Sequence, residues 1–183
     1  FTAEQTLNLV QSLYEKKVTT YPRVDTQFLS DDIYPKCPAI MNALFKTTFN
    51  GHTPYRNIIS PLGHKPLPKS KKVFDSSKVT DHHAIIPTGV VPTALTDMER
   101  KVFDLVAKRF IAVFWPDCRF STTTVTGSVD GIDFKATGKE ILDAGWKTVY
   151  VKESKDTLVD EQNEKDDEEK TLPEFNKGET GPH

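Results

Sequence analysis

The 183-residue chain has only two cysteines, Cys37 and Cys118, far apart and without a CxxC pairing. That scarcity argues against a disulfide framework and against a structural zinc site, and it points to a reducing compartment. Long hydrophobic runs are also missing. None approaches the roughly eighteen apolar residues needed to cross a bilayer, so no membrane partner is expected. No basic stretch leads into an apolar segment at the start, which argues against a secretory leader. The chain opens at Phe1 rather than at a methionine, and the expectation is a piece of a longer polypeptide. Phosphate-cradling glycine loops, a GxSxG elbow and carboxylate clusters with metal spacing are all absent, so no metal is expected on the chain itself.

What is present is 37% hydrophobic and 27% charged residues, enough for one moderate core or two small ones. The formal net charge of −2 averages two opposite regions. Residues 152–170 hold nine acids and four lysines, which reads as a solvated acidic loop. Residues 1–110 carry a net +5, concentrated where Lys65, Lys69, Lys71, Lys72 and Lys78 face only Asp75. This stretch is either a solvated basic loop or an anion-binding surface.

Leu7, Val10, Leu13 and Tyr14 recur at helical spacing, and Thr2 with Gln5 has the spacing of a capping box. Val18–Pro22 reads as a strand or extended turn. A second helix is expected over Pro38–Lys46, with proline in its first turn. Residues 50–91 hold five prolines and read as loops with short elements, a length often associated with function. Thr96 and Glu99 form a second capping box ahead of a helix that Pro116 must stop. Beyond it, Phe120–Val129, the turn Asp130-Gly131 and Ile132–Thr137 predict a hairpin, and Trp146–Val151 predicts a third strand. The expected fold is α+β, with a mainly helical domain over 1–115 and a β-rich partial domain over 117–183 that carries the acidic loop.

Two constellations carry candidate chemistry. In Thr20-Tyr21-Pro22-Arg23-Val24-Asp25, a tyrosine stands two residues from a cation. A phenol, with a reference pKa of about 10, becomes a nucleophile when a base or cation assists it, and a nearby guanidinium can hold the phosphate it attacks. Extended backbone would place Tyr21 and Arg23 on one face. The plainer alternative is a half-buried aromatic beside an Arg23–Asp25 surface pair. In Asp81-His82-His83-Ala84-Ile85-Ile86-Pro87-Thr88, adjacent histidines point to opposite faces of a strand and make a poor metal pair. Either can donate to phosphate oxygens, and either can be a buried, hydrogen-bonded histidine.

Taken together, Leu13-Tyr14-Glu15-Lys16-Lys17, Thr20-Tyr21-Pro22-Arg23 with Asp25, and His82-His83-Ala84-Ile85-Ile86-Pro87-Thr88 resemble the central region of a type IA DNA topoisomerase. Tyr-Pro-Arg and His-His-Ala-Ile-Ile-Pro-Thr are closer to the bacterial topoisomerase III branch than to topoisomerase I. There, methionine usually precedes the arginine and the second motif begins His-Glu. The resemblance covers nearly the whole chain, the acidic run least.

The resemblance implies that Tyr21 joins a 5′-phosphate of one DNA strand and releases a 3′-hydroxyl, and that the reverse attack reseals it after strand passage, without ATP. It assigns Arg23 and His82 to the scissile phosphate, with the basic stretch Lys65, Lys69, Lys71, Lys72 and His83 on DNA. His83 stands where the topoisomerase I pattern has glutamate. The family carries Mg²⁺ on an acidic Toprim domain that this chain lacks, so no cofactor is expected here and the isolated piece is expected to be inactive. The nucleophile-bearing domain would lift away as a gate, the β-rich part would belong to the arch, and the remaining domains of the same polypeptide would be partners. DNA, chiefly single-stranded, would be the substrate, in a bacterial cytoplasm at the nucleoid. A non-catalytic single-strand-binding module, using the basic stretch with Tyr55 and Phe74, is the alternative.

Overall fold

A computed structural model of the chain describes residues 1–63 and 65–151, together with Leu172, Gly178 and Thr180. The acidic loop expected at 152–170 lies outside the described residues. The architecture is mixed helix and strand. The chain divides into two units, Phe1–Trp115 with Thr148–Tyr150, and Pro116–Lys147 with Val151.

In the first unit, helix α1 (Ala3–Glu15) starts at Thr2, whose hydroxyl accepts from the Gln5 N–H while the Gln5 side chain accepts from the Thr2 N–H. Two of the four residues assigned to its apolar stripe, Val10 and Leu13, are buried. Leu7 and Tyr14 are instead 38% and 40% exposed. A helix that packs along one narrow line buries only the centre of its stripe, and these two lie outside it. A 3₁₀ turn, Asp31–Lys36, runs through Pro35 directly into helix α2 (Cys37–Lys46), where Pro38 occupies the first turn. The proline-rich segment 50–91 holds a four-residue helix, α3 (Arg56–Ile59), and two short 3₁₀ turns. Helix α4 (Asp97–Ala112) opens with a complete capping box between Thr96 and Glu99 and ends before Pro116.

The core of this unit gathers Leu13, Cys37, Leu44, Tyr55, Phe103, Ile111 and Val149, each at most 2% exposed. Phe74, Phe114 and Phe110 continue it as a chain of ring contacts at 6.3 and 5.3 Å. The Trp115 indole N–H donates to the Ile58 carbonyl at 2.9 Å, fastening the short helix region to the end of α4.

In the second unit, β1 (Arg119–Val129) and β2 (Ile132–Asp143) form an antiparallel hairpin closed by Asp130 and Gly131, at φ 51° and 79°. Positive φ at both central residues is what a tight hairpin of the right twist requires. The second strand continues six residues past the expected Thr137, because the pairing extends to Asp143 opposite Arg119. The third strand expected at Trp146–Val151 does not form: Gly145–Tyr150 is a 3₁₀ helix. Gly145, at φ +50°, turns the chain where the Asp143 carboxylate accepts its N–H. A Cβ there would meet the Pro116 carbonyl oxygen at 2.6 Å, so only glycine fits this turn.

Candidate active site

Four short segments of the first unit, 18–20, 28–29, 73–75 and 84–88, build the site without forming a regular sheet. Thr19 bridges Pro87 in antiparallel sense, with the Thr20 N–H donating to Ile86 O and the Thr88 N–H to Val18 O. The Ala84 N–H donates to Phe28 O, and Leu29 pairs with Val73 and Asp75 on its other side. The Thr20 hydroxyl accepts from the Ile86 N–H at 2.9 Å, and the Thr88 hydroxyl donates to Lys17 O. Residues 18–20 and 84–88, more than sixty positions apart in the sequence, are thus cross-tied on both sides of the bridge. Tyr21 leaves one end of this tie and His82-His83 lead into the other.

That arrangement brings Tyr21 and His82 into ring contact, with centroids 4.5 Å apart at an interplanar angle of 37°. On its other side Tyr21 meets the Tyr14 ring edge-on, at 5.4 Å and 83°. Tyr21 is half-buried, and its hydroxyl makes no hydrogen bond to another described residue. Tyr21 and His82 border a surface pocket of about 400 Å³ whose walls include Thr20, Ser30, Asp32, Ser76, Thr80, Asp81 and His83.

The pocket is not uniformly basic: two carboxylates lie in its wall. The Ser30 hydroxyl, above all, holds the Asp32 carboxyl below its ordinary range against the opposing effect of burial; its own backbone N–H, Lys36 and His83 add lesser effects in the same direction as Ser30. Asp31, beside it, is likewise held down by the Lys69 ammonium at 2.5 Å and by the Ser76 hydroxyl at 2.7 Å. His83 is half-buried, with Nδ1 2.8 Å from the Ala84 carbonyl. A carbonyl only accepts, so Nδ1 carries the proton and Nε2 remains as the other polar end. Arg23, two residues beyond Tyr21, is exposed and makes no hydrogen bond or ion pair with another described residue. Pro22 between them is buried, and the backbone there is irregular rather than a strand.

The basic residues expected on DNA are spread out. Lys69 is engaged by Asp31 and lies 5.5 Å from the Tyr34 ring centroid. Lys65 borders a separate apolar pocket with Phe45, Ile59 and Leu67. Lys71 and Lys72 are exposed in a turn. Tyr55 and Phe74, candidates for base stacking in the binding-module reading, are 0% and 4% exposed and belong to the core. Among the described residues, no three histidines, cysteines or carboxylates converge on a point that would hold a metal ion. Helical spacing grouped Tyr14 with the core and gave no sign that it borders Tyr21. Asp32 and Ser76 had no sequence signal at all, since nothing local joins them to the tyrosine.

The family model described as DNA topoisomerase matches residues 1–182. "DNA topoisomerase 3" of Bacillus thuringiensis (strain Al Hakam) is 43% identical over 183 residues, covering 98% of this chain and 24% of that protein. The proteins of the same name from Bacillus anthracis and Bacillus subtilis (strain 168) are 43% and 38% identical over the same shares. The chain therefore spans about a quarter of the length of the curated relatives it matches.

Proposed function

The chain belongs to the type IA DNA topoisomerases, in the topoisomerase III branch, and on that premise we propose that it is the central segment in which Tyr21 cuts and reseals one strand of DNA. The observation that carries the reading is the Tyr21–His82 ring contact at the edge of an open pocket, made by residues about sixty positions apart. A core tyrosine has no need of a surface pocket or of a histidine partner.

In the proposed reaction the Tyr21 hydroxyl oxygen attacks the scissile phosphorus and the bond to the 3′-oxygen breaks. The proton leaves the phenol and a proton is gained by the departing 3′-hydroxyl. The 5′-phosphotyrosine diester conserves the phosphodiester bond energy, so reversal reseals the strand without ATP. His82, stacked on the phenol, donates from a ring nitrogen to a phosphate oxygen. Arg23, unpaired and exposed, swings to the same phosphate, where charge grows in the transition state and a cation in a preorganised site is worth several kcal/mol by order of magnitude. Asp32 and Asp81 repel an unneutralised phosphate, so the cation is required and not merely helpful. His83 and the exposed lysines Lys65, Lys71 and Lys72 contact the DNA backbone, and Lys69 does so only by giving up Asp31. The strand bound is single, as the family resemblance implies.

The described residues do not fit a Mg²⁺ site, since no three carboxylates, histidines or cysteines among them converge on a point. The nucleophile-bearing domain is Phe1–Trp115, to which Thr148–Tyr150 returns against the expected boundary, and Pro116–Lys147 is part of the arch, in a cytoplasmic enzyme. The test is denaturing-gel capture of end-labelled single strands by full-length enzyme carrying this segment. Tyr21→Phe abolishes capture and leaves binding nearly unchanged, while Arg23→Ala lowers both, because its charge acts on bound substrate and transition state alike. Capture that survives Tyr21→Phe assigns the nucleophile elsewhere and ends the proposal.

A further inference from the structure

We propose that Tyr14 is a positioning residue that sets the ring orientation of Tyr21, an inference that rests on the reading of Tyr21 as the nucleophile. The Tyr21 hydroxyl has no hydrogen-bond partner among the described residues, so nothing polar fixes its direction. Among the described residues two rings lie against it: His82 at 4.5 Å and the Tyr14 edge at 5.4 Å and 83°. An edge-to-face contact of this geometry favours one ring angle over others, because the positive edge of one ring meets the negative face of the other. His82 touches the same ring but sits in an exposed turn. Tyr14 is the firmer of the two walls.

Its firmness has a visible source. Tyr14 is in the last turn of α1, next to Leu13, which is fully buried. Its carbonyl accepts the Lys17 N–H at 2.8 Å. Two residues on, the Lys16 ammonium reaches the Glu99 carboxylate at 2.7 Å, and two residues back the Ser12 hydroxyl reaches the same carboxylate at 2.6 Å. Glu99 is 4% exposed in the first turn of α4, so both sides of Tyr14 on α1 are anchored to a second helix. At the same time Tyr14 is 40% exposed, too much for an aromatic recruited to the core. Its ring contact with Tyr21 is the only aromatic contact it makes among the described residues. With that much of the side chain in solvent, its removal costs less packing than removal of a core aromatic.

The test uses full-length enzyme carrying this segment, with Tyr14→Ala, Tyr14→Phe and Tyr21→Phe side by side. Alanine is the strongest helix former, so α1 persists in the first variant, and a melting curve checks it. Misplacement of a reacting group by about an ångström costs up to a hundredfold in rate, so Tyr14→Ala should slow single-turnover strand capture about tenfold. Binding of the same oligonucleotide should change less than about twofold, and Tyr14→Phe, which keeps the ring edge, should restore the rate to within about twofold of wild type. An Ala variant with the wild-type capture rate overturns the proposal. So does a loss of binding that parallels the loss of rate, which would make Tyr14 a DNA contact. Capture by Tyr21→Phe removes the nucleophile assignment itself and with it anything for Tyr14 to position, whereas failure of the Ala arm alone leaves that assignment standing.

Discussion

Changing Glu99 to glutamine keeps the shape of a side chain that is only 5% exposed while taking away its charge. The carboxylate accepts from the Ser12 hydroxyl at 2.6 Å, from the Lys16 ammonium at 2.7 Å and from the Thr96 N–H at 2.7 Å. Burial alone would raise its pKa. The donors outweigh burial, Lys16 first among them, and pull it from 4.5 to about 2. A depression of that size corresponds to roughly 3 kcal/mol of folding free energy at neutral pH. Lys16 is 38% exposed and solvent screens its share, so about 2 kcal/mol is the working figure. Glutamine can still accept from Ser12, but its NH₂ group would face two donors. For a domain near a hundred residues, the melting temperature at pH 7 should drop by about 10 °C. The sign of the pH dependence follows from a folded-state pKa below the unfolded one. The contribution is full above about pH 5 and is lost as pH falls toward 2. Circular-dichroism melts of wild type and Glu99→Gln should therefore differ most at pH 6–7, by less than half as much at pH 3, and hardly at all below pH 2. An undiminished gap at pH 3 would show that the carboxylate's charge is not what ties α1 to α4.

Two further outcomes are expected. If the exposed lysines hold backbone phosphates, replacing Lys65, Lys71 and Lys72 together by alanine lowers the slope of log affinity for single-stranded DNA against log salt by about 2, and an unchanged slope in a salt titration takes them off the DNA path. Cys37 is fully buried, and burial pushes its thiol up to about 11, so an aromatic disulfide reagent at pH 7 should modify Cys118 in the folded chain and reach Cys37 only on unfolding. Rapid labelling of both, read by mass spectrometry, would mean that α2 opens on the labelling timescale.

Local chemistry determined much of this protein. Thr2 with Gln5 and Thr96 with Glu99 announce two helix starts, because a capping box satisfies backbone donors within four residues and needs nothing distant. Asp130-Gly131 announces the hairpin for the same reason, since the turn's positive φ angles are a property of the two residues that adopt them. The motifs around Tyr21 and His82 were likewise readable as short strings. What the string did not contain was where the partners of those residues would lie. Trp146–Val151 has the composition of a strand, but a strand needs a neighbour, and the turn at Gly145 starts the segment as a 3₁₀ helix instead. Tyr14 has the spacing of a core residue, and only the position of the 18–20 and 84–88 tie puts it at the edge of Tyr21. Asp32 and Ser76 reach the pocket through Phe28 and Leu29, which bond on opposite sides to segments more than forty residues onward. Caps and turns close over a few bonds and are written in sequence, whereas the pocket is made by contacts across tens of residues, whose geometry exists only once the chain has packed.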